Sequence, residues 1–319
     1  MGKITVQIVT YNSAKYIKTC LDSVMSQSYP IDEIIIVDNN STDNIEGILS
    51  EYQEITYIKN SNNTGFSGGH NQALKQSSSE YVLVLNPDII LDKDYIRNII
   101  LTISEKEDVG LATGILYRNL ASRIIDSTGI NMKKNRRAVD RGSGEVDSGQ
   151  YNDQTSVFGV SGAAAIYKRE MINSITIDGE FFDESFFAYK EDVDVSWRAL
   201  IAGWTAYFVH DAVAQHDRGW KDNASRKDIS IVTRKRSFIN RYYYIMKNDQ
   251  KSYLLLHSPF ILLYDLIVHI YMIIKERELL GSWKLFKGNY KEMLQKRIFI
   301  QNHKMAANKK IYSFFKGIW

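Results

Sequence analysis

The chain of 319 residues is 44% hydrophobic and 24% charged, which is enough apolar content to bury a large core and too much for a disordered polymer. Its net charge of +3 is too small for a general nucleic-acid binder, and neither zinc-finger spacing nor an Arg-Gly-Phe type RNA signature occurs. The single cysteine, Cys20, excludes an internal disulfide framework and any multi-cysteine metal site; on the apolar side of an early helix it reads as core filler rather than a thiol nucleophile.

The first residues, "MGKITVQIVTYN", lead straight into a strand without a basic-then-apolar leader, which predicts a cytoplasmic protein or one on the inner face of a membrane. β-Branched runs predict strands over 4–10, 33–37, 55–58, 81–85 and 110–116. Between them "AKYIKTCLDSVMSQ", "NIEGILSEY", "GGHNQALKQS" and "KDYIRNIILTISEK" carry apolar residues at three- and four-residue spacing and predict helices. Strands alternating with helices imply an α/β fold with a mainly parallel sheet covered on both faces, whose ligands bind at the carboxyl ends of the strands. Residues 117–156, rich in charge, Gly and Asn, read as a flexible surface loop, a lid or an acceptor-side element. A strand and a helix return with "VFGVSGAAAIYKREMI".

Beyond residue 230 the composition changes. "RKRSFINRYYYIMKN" is basic and aromatic, and the apolar stretch that follows is interrupted by His257, Pro259, Asp265 and His269. Such breaks suit interfacial or packed helices better than a membrane span. Contact with an anionic leaflet is the favoured reading, with a soluble core or a homodimer interface as alternatives. The expected division is a catalytic domain over 1–230, made of a nucleotide-binding half (1–116), the loop (117–156) and an acceptor half (157–230), followed by a helical region over 231–319.

Several polar groups fall at the predicted strand ends. They are "VTYN" (Thr10, Tyr11, Asn12), "VDNNSTD" (with Asp38, Asn39, Asn40, Ser41 and Asp43), "NSNNTGFSGGHNQAL", and "NPD" (Asn86, Pro87, Asp88) after the run "YVLVL". Proline has no amide hydrogen for a ladder, so pairing stops there and Asp88 sits on the sheet's rim. Each also fits an ordinary cap or turn. No G-x-G-x-x-G follows the first strand and no G-x-x-x-x-G-K-[ST] occurs, which argues against a dinucleotide enzyme and a phosphate-loop motor.

From Glu191 the pattern is helical, with Gly203 placed as a stop. Glu191, Asp192 and Asp194 then occupy the first turn, where acidic residues are commonly stabilising. An aromatic wall (Phe181, Phe182, Phe186, Phe187, Tyr189) precedes them, so a carboxylate there could have a raised pKa and act as a general base. His216 follows a strand-like run; alone it is most simply structural, but imidazole and carboxylate are ordinary ligands of a divalent cation, with Asp88 as the other half.

As an ordered set, "VTYN", "VDNNSTD", "NTGFSGGHN", "LNPDI", "SGAAAIYKR", "FFDESFFAYKEDVDVSWRA", "GW" and "H" resemble the inverting glycosyltransferases of family 2, with the GT-A fold. Within that family they look most like the rhamnosyltransferases of bacterial surface polysaccharides. The resemblance implies that Thr10, Tyr11, Asn12 and Asp38 contact the nucleoside, and that Asn63, Gly65, Gly69 and Asn71 lie beside the nucleotide and diphosphate. The family's metal-binding Asp-x-Asp stands here as Asn86-Pro87-Asp88. Asp88 and His216 would hold Mn2+ or Mg2+, with Arg218 and Lys221 assisting at the diphosphate. Asp192 would be the general base, and Gly162, Ala163, Phe187, Tyr189 and Glu191 would face the acceptor. The implied donor is dTDP-β-L-rhamnose and the implied acceptor an undecaprenyl-diphosphate-linked saccharide. The alternatives are another hexose or galactofuranose donor, a non-catalytic nucleotide-sugar-binding relative, or a nucleotidyltransferase; the last would normally carry a Gly-rich, basic loop where "TYNSAKY" stands.

Overall fold

The structure, a computed structural model, describes residues 2–217 and 229–319. Its centre is a ten-stranded sheet. Strands β1 (Ile4–Thr10), β2 (Glu33–Asp38), β3 (Ile55–Lys59) and β4 (Tyr81–Leu85) form the parallel part, in the order β3-β2-β1-β4. Helices α1 (Ala14–Met25), α2 (Ile45–Leu49) and α3 (Gly65–Gln76) supply the crossovers. Ile4, Val6 and Ile8 of β1 enter a core with Ile17, Leu21 and Val24 of α1, while Val82 and Val84 of β4 enter a second core with Leu74 of α3. Such alternation buries a central strand on both faces. Cys20 is fully buried in the first core, as its place on α1 predicted.

Beyond β4 the sheet is mixed. The short β5 (Ile89–Leu91) and α4 (Tyr95–Ile103) lead to the long β6 (Val109–Asn119). Strand β11 (Ala164–Lys168) runs antiparallel to both β4 and β6, so its start, Ala164, lies opposite the end of β4, Leu85. Strand β12 (Thr205–His216) runs parallel to β6 and antiparallel to β5, with His216 opposite Ile89. This topology brings the ends of β4 and β12 and the start of β11 to one rim, where the parallel strands also end.

Residues 117–156, expected as a flexible loop, instead carry β7 (Ile124–Ser127) on the sheet, a hairpin of β8 (Ile130–Met132) and β9 (Ala138–Asp140), and, at its end, β10 (Ser156–Val157) beginning. Ile125, Ile130 and Met132 are buried, and so are Arg136 and Arg141. The apolar runs are too short to dominate their charged surroundings, and the charges are compensated internally: Arg136 pairs with Asp249 at 2.7 Å.

Helices α5 (Arg169–Ile175) and α6 (Glu191–Ile201) follow β11, and α6 ends at Gly203 in the left-handed region (φ +99°). The C-terminal helices are α7 (Ile231–Asn248), α8 (Lys251–Leu256), α9 (Ser258–Lys275), α10 (Ser282–Asn302) and α11 (Asn308–Tyr312). Ile239, Tyr243 and Tyr244 of α7 and Met293 and Ile300 of α10 share a core with Trp197, Leu200 and Ile201 of α6. Beneath it lies a buried ionic network. Lys247 reaches Asp194 at 2.8 Å and Asp183 at 2.5 Å, Lys296 reaches Asp183 at 2.7 Å, and Arg198 reaches Asp194 at 2.8 Å. Helices on either side of residue 230 thus share one core. Helix α9 is one unbroken element of 18 residues; its mean hydropathy is 1.5 and only 11% of it is buried. By length and composition it could cross a membrane. Pro259 opens it and Asp265 is held by Arg241 at 2.6 Å, so neither residue breaks it.

Candidate active site

At the end of β1, Thr10, Tyr11 and Asn12 turn over the neck of β2. The Thr10 hydroxyl donates to Asp38 at 3.0 Å, and the Ser41 amide donates to the same carboxylate at 3.1 Å. Asn12, in the left-handed region (φ 52°), accepts the Thr42 amide hydrogen at 2.8 Å. Asp38 is thus buried and shapes the turn, leaving Tyr11, 54% exposed, as the side chain on display.

A cavity of about 290 Å3 opens beside this turn. Thr10, Tyr11, Asn63 and Gly65 line one side, Phe187 and Tyr189 another, and Val232, Thr233 and Arg236 of α7 close it. Four residues expected at the nucleotide and two expected at the acceptor therefore share one cavity. Gly65 is required there: at φ +76° it begins α3 so close to Phe187 that a Cβ would stand 2.3 Å from the Phe187 carbonyl oxygen. Gly69 and Asn71 do not line this cavity. A Cβ on Gly69 would meet Val9 at 2.8 Å, so the bare glycine lets α3 pack closely on β1. Asn71 is buried with its amide on the backbone of Phe182, at 2.8 and 3.0 Å.

Strand β4 is the neighbour of β1, so Asp88 lies one strand along the same rim. After Leu85 the chain turns through Asn86, whose amide donates to the Ala163 carbonyl at 2.8 Å. Asp88 Oδ1 then faces His216 Nε2 at 3.4 Å, beyond the length of an ordinary charge-assisted hydrogen bond. On the far side of the ring, Nδ1 meets the buried Asp126 at 2.8 Å. Burial alone would lower the His216 pKa, but the carboxylates of Asp126 and Asp88 outweigh it and the net shift is upward. A carboxylate behind an imidazole fixes its tautomer and makes it a better ligand. One imidazole nitrogen and one carboxylate oxygen, so backed, are a donor set that fits a divalent cation. Asp126 was not foreseen, because it lies in the stretch read as a loop. Another acidic group, Glu180, Asp183 and Glu292, has ligand atoms within 4.8 Å of one another, but the Lys296 ammonium already contacts all three. Arg218 and Lys221 lie outside the described residues.

Asp192 stands on the β11 side of the rim. Its Oδ2 accepts the Gly162 amide hydrogen at 3.1 Å, and a Cβ on Gly162 would meet Asp192 at 3.4 Å and Phe66 at 3.3 Å. Burial raises its pKa, with Asp140 adding repulsion against the Gly162 hydrogen bond, to about 6. Asp140, at the end of the unforeseen β9, is thus a further charge near the site. Glu191 is buried, and its carboxyl is pushed well above the usual range by burial and by Asp192. Its Oε2 has no hydrogen-bond partner among the described residues. Asp194, the third acid of this turn, is a structural member of the Lys247 network. Ala163 is buried beside Asn86, and Gly162 is buried against Asp192.

Residues 5–176 match the family model described as Glycosyl transferase family 2. Among curated proteins, the chain is 34% identical over 119 residues to Glycosyltransferase GlyA of Streptococcus pneumoniae serotype 4, covering 36% of this chain and 17% of that protein. It is 27% identical over 208 residues to the Low-salt glycan biosynthesis hexosyltransferase Agl10 of Haloferax volcanii, covering 62% of each. The chain thus spans less than two thirds of these relatives. Among solved structures, the mannosyltransferase PcManGT from Pyrobaculum calidifontis, in complex with GDP-Man and Mn2+, superposes with a TM-score of 0.56 at 17% identity, over 98% of this chain and 88% of that one. S. aureus TarS 1-349 in complex with UDP-GlcNAc superposes with a TM-score of 0.57 at 18% identity, over 98% and 89%. These likenesses support the GT-A fold, and with the match over 5–176, more than half of its length, the chain belongs to glycosyl transferase family 2.

Proposed function

We propose that the protein is an inverting glycosyltransferase that moves a sugar from a nucleotide diphosphate donor to a saccharide hydroxyl, with Asp192 as general base. The observation that carries this reading is the placement of Asp192, a carboxylate whose pKa burial raises to about 6, on the Gly162 amide beside the rim that holds Asp88 and His216. The nucleoside would occupy the cavity at Tyr11, and the diphosphate would run along the strand ends toward Asp88. Asp192 takes the proton of the acceptor hydroxyl as its oxygen bonds to the anomeric carbon; the bond from that carbon to the diphosphate oxygen breaks on the opposite face, and the configuration inverts. Glu191, whose carboxyl burial and Asp192 push well above the usual range, can in its protonated form donate a hydrogen bond to the acceptor sugar. A divalent cation held by Asp88 and His216 would offset the charge on the leaving diphosphate.

The donor we favour is dTDP-β-L-rhamnose, supported by the resemblance of Asn86-Pro87-Asp88 to rhamnosyltransferase-like members. A second reading, a hexose or N-acetylhexosamine donor, is supported by the names of the relatives and of the ligands in the similar structures. For the acceptor we favour a lipid-linked saccharide at the inner face of the membrane. Leu262, Leu266 and Ile270 of α9 are exposed and Lys275 ends the helix, a pattern that suits a helix lying in an anionic interface. A screen of nucleotide sugars with Mn2+ and rhamnose- or N-acetylglucosamine-ended lipid acceptors, read as nucleotide diphosphate release, tests the proposal. Release that persists in Asp192→Ala would remove the base assignment.

A further inference from the structure

Just before Glu191 the backbone takes three left-handed turns at residues other than glycine: Phe187 (φ 63°), Tyr189 (φ 75°) and Lys190 (φ 69°). L-residues hold such angles only where their surroundings fix them. The carbonyl oxygens of this segment show what does so. Ser185 accepts from Arg236 at 3.3 Å, Phe187 from the Ser67 amide at 3.1 Å, and Lys190 from the Asp194 amide at 3.1 Å. The remaining three, Phe186, Ala188 and Tyr189, converge on one atom, Nδ2 of Asn240, at 3.0, 3.0 and 2.7 Å. The orientation of that amide follows from chemistry, because a flipped amide would set Oδ1 against three carbonyls. Asn240 is fully buried. One turn earlier on α7, the Ser237 carbonyl accepts from the Lys190 ammonium, and Arg236 lies over the Phe187 ring at 5.0 Å.

The same segment has two functional neighbours. Phe187, Ala188 and Tyr189 form a wall of the cavity, which Thr233 of α7 also lines. Lys190 is the N-cap of α6, so the backbone that Asn240 gathers sets where Glu191 and Asp192 begin. Extending the reading of Asp192 as the base, we propose that Asn240 is a positioning residue for the transfer: by clamping 186–189 it holds the cavity wall and the carboxylate of Asp192 in register with each other and with Gly162. Helix α7 belongs to the third of the chain whose composition points to a surface, yet through this one amide it helps set the geometry of the reacting groups.

The test uses the full chain labelled with 15N-glycine. The Gly162 amide donates to Asp192, so its signal titrates with that carboxylate and reports its placement without any substrate. Asn240→Ala is expected to move the Gly162 signal and its titration midpoint and to lower kcat by about 100-fold, the scale of a 1 Å misplacement. Asn240→Ser, which keeps one donor, should fall between Asn240→Ala and the wild type, and it serves if the alanine variant does not fold. Asp192→Asn, measured in parallel, separates the two readings. If it still transfers, the base assignment fails and this proposal with it. If it is inactive while the Asn240 variants keep the wild-type Gly162 titration and kcat, this proposal alone is overturned.

Discussion

His216 points Nε2 at Asp88 across 3.4 Å while Asp126 holds its other nitrogen at 2.8 Å. The ring is therefore presented to the rim in one tautomer. Removing the backing carboxylate while keeping its shape, as in Asp126→Asn, should weaken Mn2+ affinity about 10- to 100-fold. Asp88→Ala and His216→Ala should weaken Mn2+-dependent binding of nucleotide diphosphate further. Isothermal titration calorimetry measures both, and unchanged affinity in all three variants would remove the cation from this pair.

With Asp192 as the proposed base, its raised pKa, about 6, should set the acid side of the pH–rate profile. A base must be ionised, so kcat/KM should fall as pH drops through about 6, well above the ordinary aspartate value near 3.9. The same shift has a stability consequence of opposite sense. A carboxylate that binds its proton more tightly folded than unfolded loses stability as pH rises from about 3.9 through about 6. Asp192→Asn should thus abolish transfer while melting no lower than the wild type at pH 8, with any advantage shrinking toward pH 4 in a series of thermal melts.

Lys247 is fully buried between Asp183 and Asp194. Removing one partner of such a pair leaves charge uncompensated, so Lys247→Met should cost about 3–5 kcal/mol by urea denaturation at pH 7. The Asp183 carboxyl would be raised by its burial, but Lys247 and Lys296 hold it below the usual range. Its contribution is present above about 3.9 and is lost as pH falls further. The gap between variant and wild type should accordingly narrow in strong acid.

Leu262, Leu266 and Ile270 are exposed on α9, so replacing them with Gln should leave the fold intact. Sedimentation with vesicles containing anionic lipid should then show loss of binding relative to the wild type. Equal sedimentation of both would count against docking through α9.

The strand and helix pattern of the first half was legible because each element is uniform over its length. The expected strands 4–10 and 81–85 match β1 and β4 at both ends. Asp88 and His216 could be paired from residue chemistry and a family resemblance, and they do meet. Asp126 and Asn240 could not, since a carboxylate in a charge-rich run and an amide in a basic helix carry no local sign of their distant partners. Gly69 carries the same lesson: nothing in a glycine-rich run after a strand shows which glycine lets a helix approach Val9. Helix α9 was read as interrupted because composition does not show that Arg241 would hold Asp265.

The union of Asp183 and Asp194 with Lys247 and Lys296 also governs the order in which the molecule can be built. The acids are synthesised before the ammonium groups that neutralise them, and two anions shut away from water without counter-ions are strongly disfavoured. During translation Arg198 can neutralise Asp194 at once, but Asp183 gains its first ammonium partner only with Lys247 of α7 and its second with Lys296 of α10. A nascent chain halted before Lys247 should therefore remain protease-sensitive around residue 190.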